Sequence, residues 1–140
     1  MALKGTRTEE NLRAAFAAEA QTNRRYLYFA QQADIEGDTD AAELFRAAAE
    51  AETGHAFGHL EFLEKTGDAT TGKALGTTKL NLEAALALER AEADQTYPEM
   101  ARIAREEGLD DVAAWFESLA RVELAHVKRI ESLLWGKKFR

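Results

Sequence analysis

The sequence predicts an all-α protein built from two related helix hairpins, and three observations carry that expectation. Alanine, leucine, glutamate and arginine abound in a chain with a single proline, a composition that favours helix over strand. Apolar residues recur at steps of three and four almost throughout. The chain also repeats itself. Ala14–His55 overlays Ala85–His126 at a shift of 71 residues with 13 of 42 positions identical, where composition alone gives roughly three or four. The matched pairs include Tyr26/Tyr97, Gly37/Gly108, Phe45/Phe116, Glu52/Glu123 and His55/His126. A length of 140 residues suits one domain with a hydrophobic core and falls short of two of ordinary size, so residues 1–140 are read as one domain.

The first helix is expected over about 9–36, with Thr8 as N-cap ahead of Glu9 and Glu10. Its inward seam is Leu12, Phe16, Glu19, Asn23, Tyr26, Ala30 and Ala33. Gly37 stops it, and Asp38-Thr39-Asp40 caps a second helix over about 40–65, with the seam Ala41, Phe45, Ala48, Glu52, His55, His59 and Phe62. Residues 66–78 hold three glycines, several threonines and little apolar content, and read as a linker. The third helix is expected over about 79–107 with the seam Leu82, Ala85, Glu89, Glu92, Thr96, Glu99 and Ile103; Pro98 should bend it, and Glu99 beyond the proline is read as exposed. Gly108 ends that helix, and Asp110 or Asp111 caps a fourth that reaches about 135, with the seam Val112, Phe116, Leu119, Glu123, His126, Ile130 and Leu133. Hairpins 9–65 and 79–135 would face each other about a pseudo-two-fold axis.

Charge and composition exclude several functions. Eighteen basic against 25 acidic residues give a net charge of −7, which argues against nucleic acid or an anionic membrane as the main partner. Without cysteine there is no disulfide, no thiol catalysis and no Cys-ligated metal, so a transition metal must be held by carboxylate and imidazole. No apolar run approaches the ~20 residues that span a bilayer. The opening Met-Ala-Leu-Lys-Gly-Thr-Arg has no apolar signal core, so a cytoplasmic location is expected.

The informative feature is where the glutamates fall. Glu19, Glu52, Glu89, Glu92 and Glu123 sit on seams otherwise made of Leu, Phe, Ile and Val, where an ionised carboxylate is rare unless it is paired or binds metal. His55 and His126 follow Glu52 and Glu123 by three residues, one turn along the same face. Glutamates from two helices plus a Glu-x-x-His pair from each of the other two is the donor pattern of ferritin-like di-iron and di-manganese carboxylate bundles. The expected fold is therefore a ferritin-like four-helix bundle, two pseudo-repeated hairpins joined by a long crossover linker. A site of two equal halves suits two metal ions, and the same donors admit manganese or a mixed pair. Tyr26 and Tyr97 lie within one or two turns of the glutamates, where their hydroxyls could hydrogen-bond ligand oxygens. His59 lies one turn past His55, but its repeat partner is Ile130, so it is read as a core histidine and not a ligand. Tyr28, Trp115 and Trp135 read as ordinary packing.

With these residues in hand, the chain closely resembles the rubrerythrin family over nearly its whole length. The resemblance rests on Lys4-Gly5-Thr6 with Glu9-Glu10-Asn11-Leu12, on Phe16-Ala17-Ala18-Glu19-Ala20-Gln21 and on Asn23-Arg24-Arg25-Tyr26. It continues through Ala51-Glu52-Thr53-Gly54-His55-Ala56, Glu89-x-x-Glu92 followed by Tyr97-Pro98, and Ala120-Arg121-Val122-Glu123-Leu124-Ala125-His126. The resemblance implies two irons cycling between Fe2+ and Fe3+, an oxo-bridged pair among their states. Glu52 and Glu123 would bridge them, Glu19 would be a terminal ligand of one iron, and Glu89 with His126 would complete the other. Glu92 and His55 would exchange at the first iron as its oxidation state changes. It implies reduction of hydrogen peroxide to water. The usual family member also carries a rubredoxin-like domain with four cysteines; a chain with no cysteine cannot, and looks like the shorter, erythrin-like branch. Electrons would then come from a separate donor such as a rubredoxin-like protein. Arg90 and Ala93 replace the bulkier polar or aromatic residues often found beside the third-helix glutamates.

Two other functions fit the same donors: a ferroxidase or oxidase using dioxygen, and an iron-binding or storage protein without a peroxidase cycle. The linker bears on assembly. A helix of about 25 residues is roughly 37 Å long, and some 13 linker residues reach at most about 43 Å. The linker can span its own bundle only when nearly straight, or the hairpins of two chains can exchange. A homodimer is expected, by either route.

Overall fold

The structure, a computed structural model, describes residues 2–68 and 70–136. Residue 69 of the expected linker and both ends of the expected 1–140 domain lie outside the described residues. All regular structure among the described residues is helical, in two compact units, Met1–Ala69 and Thr70–Arg140.

In the first unit, Thr6 starts α1 (Arg7–Glu36). Its Oγ1 accepts from the Glu9 N–H at 3.1 Å and its hydroxyl donates to the Leu3 carbonyl at 2.6 Å. Thr8, the expected cap, lies inside the first turn, because only Thr6 has its oxygen over a free N–H. Gly37 ends α1 in the left-handed region at φ 79°, with its N–H on the Asp34 carbonyl and that of Asp38 on the Ala33 carbonyl. Asp38 then caps α2 (Thr39–Leu63) through Oδ1 to the Ala41 N–H at 3.0 Å.

In the second unit, Thr77 caps α3 (Thr78–Ala91) by accepting from the Leu80 N–H at 3.2 Å. The expected third helix is not continuous. A π-helical turn, Glu92–Thr96, separates α3 from α4 (Tyr97–Glu106), with the Tyr97 N–H reaching back to the Glu92 carbonyl. Pro98 lies in the first turn of α4, directly after the π turn. Gly108, at φ 77°, repeats the Gly37 ending, with Leu109 N–H on the Ala104 carbonyl at 2.8 Å. The last helix, α5 (Asp110–Leu134), has Leu109 at its N-cap and no side-chain cap. Asp110 and Asp111, expected as caps, instead place two charges at the positive end of the helix dipole.

The π turn changes the repeat. From Tyr26/Tyr97 onward the shift is 71, and the buried pairs Ala30/Ala101, Ala33/Ala104, Ala42/Ala113, Ala56/Val127 and Leu63/Leu134 all obey it. Upstream the shift is 70: Asn11/Asn81, Leu12/Leu82, Ala14/Ala84, Ala15/Ala85, Ala17/Ala87 and Glu19/Glu89 are identical. A uniform shift of 71 is thus corrected. The second unit has one more residue between its glutamate and its tyrosine, and the π turn absorbs it.

Packing within each unit runs along seven-residue stripes. Ala42, Ala49, Ala56 and Leu63 of α2 are buried, as are Ala113, Val127 and Leu134 of α5. These stripes lie one residue along from the expected seams, and their alanines let the helices approach closely. The expected seam residues Phe62, Ile103, Val112 and Leu133 are exposed, as are Tyr28, Trp115 and Trp135. A two-helix unit taken by itself can cover only one stripe of each helix.

Deleting Asp94, an exposed residue of the π turn, should leave helix content by circular dichroism unchanged and the urea midpoint nearly so, because α1 covers the same span with one residue fewer. Deleting Ala87 in regular α3 should instead rotate Leu82, Ala84 and Leu86 by about 100° out of contact and lower the midpoint clearly.

Candidate metal centre

Each unit brings two glutamates and a histidine together. In the first, Glu19 of α1 meets Glu52 and His55 of α2, with one donor atom from each within 4.8 Å of the others. His55 Nδ1 lies 3.7 Å from Glu52 Oε2 and 4.0 Å from Glu19 Oε2. In the second, Glu89 of α3 meets Glu123 and His126 of α5 under the same limit. His126 Nδ1 lies 3.6 Å from Glu123 Oε2 and 3.5 Å from Glu89 Oε2. The same ring nitrogen faces the carboxylates in both, and the i, i+3 spacing puts each Glu and His on one helix face.

The burial of these groups is uneven. The glutamate side chains are half-buried, Glu123 most of all at 14% exposure, whereas those of His55 and His126 are 59% and 45% exposed. Glu52, Glu89 and Glu123 each have an Oε2 shut from solvent with no hydrogen-bond partner; among the described residues the remaining such atom is Oε2 of Glu9, in the first turn of α1 beside Arg13. An unpartnered buried polar atom costs about 1–3 kcal/mol, more when charged. Carboxylate oxygens of this kind grouped with an imidazole nitrogen fit a divalent cation of borderline hardness: iron, manganese or zinc.

The other expected site residues fall as follows. Glu92 is half-buried at the start of the π turn and belongs to neither triad. Tyr26 packs its ring against Phe29 and Phe45, and Tyr97 stacks on Phe116; among the described residues neither hydroxyl bonds a triad carboxylate. Glu99 is exposed, and its hydrogen bond with Arg102 holds its carboxyl below the usual value. Arg90 pairs with Glu131 at 2.7 Å, while Ala93 is buried inside the π turn.

Sequence reasoning missed two contacts. His59 Nε2 lies 2.9 Å from Glu19 Oε2, so this histidine, which is no member of the triad, is bonded to one. Asn23 donates to the Ala49 carbonyl at 2.7 Å and to Thr53 Oγ1 at 3.0 Å, tying α1 to α2 one turn from Glu19. The available signal was spacing: His59 follows His55 by four, and Asn23 follows Glu19 by four.

The family model named Rubrerythrin matches residues 10–134, which include both triads. The chain belongs to the rubrerythrin family. It is 42% identical over 132 residues to the rubrerythrin of Nitratidesulfovibrio vulgaris, covering 91% of this chain and 69% of that protein. It is 42% identical over 137 residues to the rubrerythrin of Porphyromonas gingivalis (94% and 68%) and 40% identical over 140 residues to rubrerythrin-1 of Clostridium acetobutylicum (94% and 72%). Membership makes the all-α fold the ferritin-like one, and the two triads are rubrerythrin-type carboxylate–histidine groups. Among the described residues no helix is long and apolar enough to cross a membrane.

A cation held at 100 times its dissociation constant should stabilise the fold by about 2.7 kcal/mol per site, a rise visible in the melting temperature. Metal-free Glu123→Gln should melt no lower than the metal-free parent, since an amide is cheaper to bury than an unpartnered carboxylate, and should lose most of the metal-induced rise.

Proposed function

We propose that this protein is a non-haem di-iron peroxidase that reduces hydrogen peroxide to water with electrons from a separate donor. The observation that carries the reading is the matched pair of Glu–Glu–His triads with unpartnered buried oxygens, in a chain of the rubrerythrin family. When bound, two ferrous ions supply the two electrons that, with two protons, convert one peroxide to two waters.

The chain's own residues hold and tune that pair. Glu19, Glu52 and His55 hold one iron and Glu89, Glu123 and His126 the other, with Glu52 and Glu123 as the ligands shared between them. Glu92 and His55 are the exchanging ligands at the first iron. Their surroundings suit exchange: the half-exposed His55 ring has room to turn, and Glu92 begins a widened helical turn. Tyr26 and Tyr97 border the pair. The proposed electron donor is a separate rubredoxin-like protein. The proposed location is the cytoplasm.

The test is stopped-flow oxidation of the anaerobically reduced protein. Hydrogen peroxide should oxidise the iron with a stoichiometry of one per pair and at least tenfold faster than equimolar dioxygen. A faster reaction with dioxygen would replace this reading with an oxidase or ferroxidase. Within it, Glu52→Ala should lose both metals, whereas His55→Ala should retain metal as isolated and fail in turnover; equal metal loss would overturn these roles.

The proposed assembly is a homodimer, with the hairpins exchanged between chains or each linker spanning its own bundle. Sedimentation should then give twice the 15.5 kDa chain mass. A monomer would overturn the dimer, and a large closed shell would favour storage.

A further inference from the structure

The two triads differ in what stands behind Glu19 in the first and Glu89 in the second. His59 is one turn along α2 from His55 and faces the same way. Its Nε2 lies 2.9 Å from Glu19 Oε2, and because an ionised carboxylate can only accept, Nε2 carries the proton and donates. The effect on the triads is visible: Glu52, Glu89 and Glu123 each keep an unpartnered buried oxygen, and Glu19 does not. The position 71 residues after His59 is Ile130, which offers no side-chain donor, so Glu89, the counterpart of Glu19, has no equivalent support.

We infer that His59 is a positioning residue for the first triad: it holds the Glu19 carboxylate toward Glu52 and His55, so that this triad takes a divalent cation more tightly than the second. The physical cause is pre-organisation. A glutamate already fixed by a hydrogen bond loses less side-chain freedom when the cation arrives, and the donor sits on Oε2, the oxygen that also lies 4.0 Å from His55 Nδ1, so it holds the carboxylate beside the rest of the triad. The inference rests on the proposed function only in that the triads bind metal.

The experiment titrates the metal-free full chain with Co2+ under anaerobic conditions, reading the visible d–d bands. The parent should bind in two resolved steps. His59→Ile, which copies the second unit, should weaken the tighter step 10–100-fold and leave the weaker one unchanged. His59→Gln, which keeps an N–H donor, should recover most of that loss, an outcome that a bulk packing role or direct ligation by His59 would not give. Ile130→His leaves the first unit untouched and should tighten the weaker step, which keeps the test decisive even where His59→Ile fails to fold. Unchanged constants in His59→Ile, or equal losses in the Ile and Gln variants, would overturn the inference while leaving the proposed function standing. A parent that binds no Co2+ would overturn both.

Discussion

Carboxylate oxygens shut away from water without a donor are the constraint on which the rest of the molecule turns. Glu52, Glu89 and Glu123 each carry one, beside an imidazole nitrogen at 3.5–3.7 Å. At about 1–3 kcal/mol apiece, they consume a large share of a net stability that is typically about 5–15 kcal/mol. A chain built for stability alone would place small or aliphatic residues there, as it does at Ala49, Ala56 and Val127 on neighbouring stripes of the same helices. A divalent cation removes the penalty by supplying the missing partner, so the residues least favourable to the metal-free fold are the ones that fit the metal.

The helices turn this constraint into geometry with few devices. Buried alanines on α1 and on the seven-spaced stripe of α2, and their counterparts on α4 and α5, bring the helices close enough for a glutamate on one to meet a Glu-x-x-His pair on the other. Left-handed glycines at 37 and 108 end α1 and α4 at matching places in the repeat. The two units are nevertheless not copies. The second spends one extra residue in its π turn, and the first has His59 and the Asn23–Thr53 contact where the second has none of these. A repeated framework has thus acquired two inequivalent halves.

Much of this was legible in the sequence, and the reasons divide cleanly. The Glu-x-x-His pairs can be read because three residues is nearly one helical turn, a local fact that needs no tertiary information. The helix ends at Gly37 and Gly108 can be read for the same reason. The N-cap is harder, since Thr6 and Thr8 have the same hydroxyl and only the backbone path selects Thr6. The buried stripes sat one residue from the expected seams because alanine is as common on helix surfaces as in cores, and the larger apolar residues nearby outweighed it. The π turn left a trace in the change of repeat shift from 70 to 71, visible only when the two halves of the repeat are aligned separately. The partner of His59 was not legible, because Glu19 is 40 residues away on another helix and the repeat comparison pointed to Ile130.

The central claim is that the two triads hold one metal ion each, and the most direct measurement is the metal-to-protein ratio of the protein as isolated. Plasma mass spectrometry of protein purified without added metal or chelator should find two transition-metal ions per chain, with iron predominant. Loss of both in the double variant Glu52→Gln/Glu123→Gln, with its helix content intact, completes the expected result. A ratio near zero in protein that is folded and stable, or an unchanged ratio in that double variant, would contradict the account.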